Sequence, residues 1–203
     1  MEKSQQKANK TILNLNLPNK ENDMPVAARG KTICFIDNSN IFLGGKNAGW
    51  QVDWQKLESY LSSAEQIWQT HFFASEQDPP KAMQTSFYQY IKNVLRFELH
   101  LYELGKKSHT CSNCSTKDIS PAEKGVDVGV ATKMLILGAN KAYETAILVS
   151  GDRDYLETVK FIKNLGLRVE IVSWQKSLSG DLAAESSTPV LLLDSLKSQI
   201  EKA

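Results

Sequence analysis

Two short apolar runs in this chain end in acids. In AILVSGDRD, Ala146–Asp154, the run Ala-Ile-Leu-Val halts at Ser150-Gly151, and Asp152 and Asp154 follow. KTICFIDNSNIFLGG repeats the arrangement, with Ile33 to Ile36 running into Asp37 and then Asn38-Ser39-Asn40. A third acidic element, Asp127, opens KGVDVGVATKMLILG. Carboxylates that converge repel one another, and a hard divalent cation is the usual partner that makes convergence tolerable. A metal held by oxygen ligands lowers the pKa of its water and polarises a phosphoryl oxygen; two ions about 4 Å apart also stabilise the leaving oxygen. Taken singly, each acid has a plainer reading. Asp37 or Asn38 suits a capped turn, and Asp127 suits the first turn of a helix. The recurrence of acids at two strand ends favours the metal site.

The elements around these acids read as an α/β sheet. Short β-branched runs bounded by turn residues are the mark of strands buried on both faces of a parallel sheet. After Asp154, YLETVKFIKNLG places Tyr155, Leu156, Val159, Ile162 and Leu165 at helical spacing, with Gly166 set to terminate at C′. LRVEIVSW then resumes as a strand, so strand–helix–strand occupies about thirty residues. Asp152 and Asp154 therefore sit at a carboxyl strand end, where open α/β sheets place ligands. Elsewhere, Asp53–Glu65 predicts a helix capped by Asp53, Ile67–Ala74 a strand, Met83–Arg96 a helix and Phe97–Leu104 an edge strand exposed on one face. Lys124–Gly138 carries Val126, Val130, Met134 and Leu137 at helical spacing. It feeds the Ala146–Val149 strand, which right-handed crossover geometry carries back beside the first strand. Lys176–Glu185 suggests a short helix, Val190–Leu193 a short strand and Asp194–Lys202 a helical end. His71 and His100 fall within strands with no ligand partner nearby in sequence, and read as structural histidines.

With 203 residues and 41% hydrophobic content, the chain can bury one good core. Its net charge of +1 argues against a polyanion partner held by bulk electrostatics, so a nucleic-acid surface would be a local patch. No stretch approaches roughly 18 apolar residues, so no membrane span is expected. The N-terminus lacks the apolar region of a secretory signal, and 3 cysteines suggest no disulfide framework. A cytoplasmic protein is the expectation. Residues 1–29, rich in Lys, Asn, Gln and Glu, read as a disordered tail in which Thr11–Leu17 alternates weakly; residues 30–203 read as the domain. Within it, a polar insert at about 105–123 carries His109, Cys111 and Cys114. One CxxC is half of a structural zinc site. A Zn²⁺ clip of His109, Cys111 and Cys114, completed by another side chain or a second subunit, is one reading; a surface loop with reduced thiols is the other. A homodimer stays open. Lys106, Lys107, Lys124 and Arg153 are candidate contacts for a nucleic-acid strand.

FIDNSN, EKGVDVGVATKML and LVSGDRDYLETVKFIKNLGLRVEIVSW, in that order, resemble the NYN domain of the PIN-like nuclease superfamily, and within it the LabA-like group. The resemblance covers roughly Lys31 to Leu193, and a CxxC insert just before the KGVDV segment also occurs in relatives. It implies a Rossmann-like PIN/NYN fold, α/β, with a mainly parallel central sheet flanked by helices. It also implies an acidic site dependent on Mg²⁺ or Mn²⁺ that hydrolyses RNA phosphodiesters. Carried onto this sequence, the site comprises Asp37, Asn40, Asp127, Asp152 and Asp154; neutral Asn40 would orient water or a phosphate without adding repulsion. Many relatives have an acid six residues after the KGVDV aspartate, where this chain has Lys133. Position 133 lies roughly 120° around the helix from Asp127, so joint ligation of one ion by both positions is not expected. The lysine nonetheless puts metal occupancy or turnover in question.

Two other functions fit the same residues. One is a catalytically silent NYN domain that binds RNA or protein as a regulator, with Lys133 as its sign. The other is phosphotransfer through an aspartyl phosphate, against which Asp37-Asn38-Ser39-Asn40 lacks the second acid of a DxD nucleophile motif.

Overall fold

Strand β1 (Thr32–Asp37) is buried along its whole length and lies at the centre of the sheet. The computed structural model describes residues 28–110, 117–122 and 124–203. Residues 1–27 of the expected tail, Thr11–Leu17 among them, lie outside these. Around β1 stand β2 (Ile67–Glu76), β3 (Glu98–Glu103), β6 (Thr145–Val149), β7 (Arg168–Ser173) and the two-residue β8 (Leu191–Leu192). They form a six-stranded sheet in the order β3-β2-β1-β6-β7-β8, parallel at every pairing. Strand β6 returns beside β1 as the crossover expectation required.

Alternation along β1 explains why its sequence runs apolar without a break. Cys34 and Ile36 face one helical layer, Ile33 and Phe35 the other. The first layer contains α1 (Asn38–Ala48), α2 (Trp54–Leu61), α3 (Ala82–Asn93) and the short α7 (Lys197–Ile200). The second contains α4 (Val126–Ala139), α5 (Leu156–Asn164) and the one-turn α6 (Gly180–Ala184). Chain order carries β1 outward to β2 and β6 outward to β7 in the opposite direction. The strand order therefore reverses between β1 and β6, and that is where such sheets open a ligand crevice.

Several elements follow their sequence signals closely. Asp53 caps α2, accepting from the amides of Gln55 and Lys56 at 3.0 and 3.1 Å. Gly166 follows α5 at φ 80°, a left-handed conformation that glycine adopts at no steric cost. Strand β3 is the sheet edge.

Other elements differ. Helix α1 has no sequence signal: Asn38, Ser39, Asn40, Gly44, Gly45 and Asn47 are poor helix formers. Tertiary contact accounts for its glycines. A Cβ on Gly44 would collide with the Trp174 indole, and one on Gly45 would stand 2.7 Å from the Trp50 carbonyl. The expected single helix over Lys176–Glu185 is divided into a 3-10 turn, Gln175–Ser177, and α6. Between them the Ser179 amide donates to the Gly151 carbonyl at 2.9 Å, tying this loop over the end of β6. Asp194–Lys202 divides likewise into a 3-10 turn and α7. The insert is an antiparallel hairpin of β4 (Gly105–Thr110) and β5 (Lys117–Ala122), where the sequence suggested a plain loop. His109 lies in β4 opposite Asp118, while Cys111 and Cys114 fall outside the described residues. Arg29, at the edge of the expected tail, is anchored: it pairs with Glu170 of β7 at 2.8 Å and donates to the Leu61 carbonyl at 2.6 Å. Among the described residues no helix is long and apolar enough to cross a membrane.

Candidate active site

Asp37 closes β1 and caps α1 at once, so its carboxylate is pinned at the β1–β6 crevice. One oxygen, Oδ1, accepts from the amides of Ser39 and Asn40 at 3.1 and 3.2 Å. The other, Oδ2, accepts from the Tyr155 hydroxyl at 2.9 Å and the Ser150 hydroxyl at 3.3 Å. A carboxylate offers about four lone-pair sites, and these four donors engage them all. Asp37 is only 5% exposed.

The end of β6 is bound to the same point. The Gly151 amide donates to Asn40 Oδ1 at 3.2 Å, joining the two strand ends across the crevice. The Asp152 amide donates to Ser150 Oγ at 3.3 Å, while Asp152 Oδ1 accepts from the Asp154 amide at 3.1 Å. Asp152 therefore caps the 3-10 turn Arg153–Tyr155, as its local sequence allows. Gly151 is required by close approach: a Cβ there would stand 2.6 Å from the Ser177 carbonyl.

Tyr155 is buried beside Asp37. Burial pushes its phenol far above the usual tyrosine range, and the carboxylates of Asp37, Asp127 and Asp152 push it further. Three acids from three elements thus act on one buried hydroxyl. Asp127 lies in the first turn of α4, beyond Gly125, whose φ of 88° starts that helix. Asp154 is exposed beside them at the same carboxyl edge. Lys124 is exposed next to α4, and Arg153, also exposed, pairs with Asp181 at 2.9 Å.

Lys133 lies elsewhere. Its charge acts on His71 and His100, which join β2 to β3 through a 3.0 Å contact between Nδ1 and Nε2. Burial first, then His100 and Lys133, lower His71 from its usual 6.5 to about 4, so the ring stays neutral near neutral pH. The two histidines do partner each other, although 29 positions separate them in sequence. Parallel pairing of β2 with β3 brings them together. The hydroxyls of Ser150 and Tyr155 were also missed as parts of the site; the one available signal was a phenol on an apolar stripe next to two acids.

The donor set bears on which metal could bind. Among the described residues no three His, Cys, Asp or Glu side chains gather at ligand geometry. The donors are all carboxylate oxygens, which suit a hard cation. Mg²⁺ dehydrates reluctantly and is typically held by one or two carboxylates plus water and phosphate. The residues fit a largely hydrated Mg²⁺ or Mn²⁺ and do not fit a dry three-ligand cage.

Comparison with known proteins agrees with the topology. The chain is similar to the crystal structure of a protein of unknown function from Vibrio parahaemolyticus, with a TM-score of 0.65 at 16% identity, covering 88% of this chain and 100% of that one. At that identity the likeness establishes the fold alone. No curated protein matches the chain. The NYN domain family matches residues 31–193, which takes in the whole parallel sheet with all four aspartates. The chain therefore belongs to the NYN domain family, within the PIN-like nuclease superfamily.

Proposed function

We propose that this protein is a ribonuclease of the LabA-like group that hydrolyses RNA phosphodiester bonds with Mg²⁺ or Mn²⁺. The observation that carries the reading is the joining of the β1 and β6 ends at the point where strand order reverses: Asp37 accepts from the Ser150 and Tyr155 hydroxyls, Asn40 accepts from the Gly151 amide, and Asp152 follows directly. A bound divalent cation supplies an activated water and neutralises charge on the phosphoryl oxygens. Asp127 and Asp152 would hold it, with Asp154 at the rim. Asp37, fixed by four hydrogen-bond donors, orients the group and keeps the crevice negative. Asn40 ties the two strand ends and presents its amide to water or a phosphate. Lys124 and Arg153, both exposed, would meet the phosphates of the strand.

A second reading has its own observation. With all its lone pairs engaged, Asp37 has no ready site for a metal, which favours a domain that binds RNA as a regulator without cutting it. Incubating the purified full chain with labelled RNA and DNA in Mg²⁺, Mn²⁺ or EDTA separates the two. The nuclease reading expects RNA cleavage in metal and none in EDTA. Retention of RNA without cleavage in either ion would establish the regulator instead.

A further inference from the structure

Beside the acids, the carboxyl edge holds a groove of about 270 Å³ between the last half of α1 and the chain that follows β7. Trp50 and Trp174 line it, 7% and 2% exposed and packed edge to face with ring centres 4.6 Å apart. Around them stand Asn47, Lys176, Ser177 and Asp194. We propose that this groove is a nucleoside subsite, seating one base and sugar of a single-stranded RNA next to the phosphate that the acids address. The inference rests on the RNA reading above.

Position is the first argument. Asn40, Gly44 and Asn47 lie on one face of α1 at spacings of four and three residues. That face runs from the Asn40–Gly151 contact to the groove wall, a distance of about 6–10 Å at the rise of a helix. The loop over β6 forms the other side, since the Ser179 amide is bound to the Gly151 carbonyl. Groove and acids therefore share one rigid frame.

Size and chemistry give the occupant. The volume lies just under the ~300–1,000 Å³ of ordinary small-ligand clefts, enough for one nucleoside. Paired RNA keeps its bases stacked inside the helix, whereas single strands splay them out for recognition along their edges. Lys176 makes no ion pair among the described residues and is exposed, ready for a phosphate or a base carbonyl. Asp194 is held by the Gln175 amide, which donates to Oδ2 at 2.7 Å, leaving Oδ1 to accept from a ribose hydroxyl. Asn47, exposed at the groove wall, adds both a donor and an acceptor, while the Ser177 hydroxyl donates to the Trp174 carbonyl at 3.4 Å and offers an acceptor.

The test is titration of the full chain, ¹⁵N-labelled and in EDTA, with AMP, GMP, CMP and UMP in turn. The four indole N–H signals are followed. Trp54 packs on Phe72, and Trp68 lies under the Lys31 ammonium, so neither borders the groove. At least one nucleotide should move the Trp50 and Trp174 signals and leave Trp54 and Trp68 in place. Lys176→Glu should weaken that binding by about tenfold or more, the loss of one charge-assisted contact. The subsite is overturned if no nucleotide moves Trp50 or Trp174, if all four indoles move alike, or if Lys176→Glu binds as the wild type does. EDTA keeps the two proposals apart. RNA cleavage in metal without these shifts removes the subsite alone; the shifts without cleavage remove the hydrolysis alone.

Discussion

Tyr155 donates to Asp37 and so occupies one of the lone pairs of its carboxylate. Its hydroxyl is buried and donates to a charged acceptor, the kind of hydrogen bond whose net contribution is about 1.5–3 kcal/mol. Tyr155→Phe should therefore lower the stability of the metal-free protein by about that amount, less whatever Ser150 recovers at the same oxygen. It should also enlarge the thermal shift caused by excess Mn²⁺, because one acceptor on Asp37 becomes available. Paired melts with and without Mn²⁺ check both signs; an unchanged Mn²⁺ shift would mean that Asp37 takes no part in holding the ion. The residue types of this site were legible in the sequence, and so was the capping by Asp37. Their hydroxyl partners were not, since a tyrosine on an apolar helical stripe reads as core until the fold brings its oxygen to Asp37.

At the level of elements, the buried strands and α2, α3, α4 and α5 follow from period and punctuation. Helix α1 does not, because its local preferences oppose a helix and its tertiary contacts impose one. Its glycines test that account. At Gly44 an added methyl meets Trp174, so Gly44→Ala should cost about 1–3 kcal/mol by overpacking. At Gly180, in α6, nothing stands within 4 Å of the added carbon. Gly180→Ala should be neutral or stabilise by up to about 1 kcal/mol, through lost freedom in the unfolded chain. Urea midpoints measure the pair, and equal effects would contradict the contact explanation. The insert shows the opposite limit. Its polar composition suggested a loop, and the pairing of β4 with β5 could not be read because β4, GKKSHT, has no apolar residue and β5 carries a proline.

Across the whole molecule, Arg29 joins the segment before β1 to β7 and to the end of α2. Glu170 is a buried acid, and removing its partner leaves a charge compensated, among the described residues, by Arg168 at 3.7 Å. Arg29→Ala should cost about 3 kcal/mol in a denaturant melt, whereas a surface arginine would cost almost nothing. The parallel sheet and the edge that carries the acids were legible because acids at strand ends and alternating strand–helix patterns are local features. The tie through Arg29 was not, since it spans 141 positions. The central claim is that these acids hold a catalytic cation, and Asp152→Asn addresses it most directly. Asparagine caps a turn about as well as aspartate, so the fold keeps its cap while the site loses a charge. In Mn²⁺, with labelled single-stranded RNA, the wild type should cleave and Asp152→Asn should be slower by on the order of 100-fold or more. Cleavage by Asp152→Asn at the wild-type rate would contradict the account.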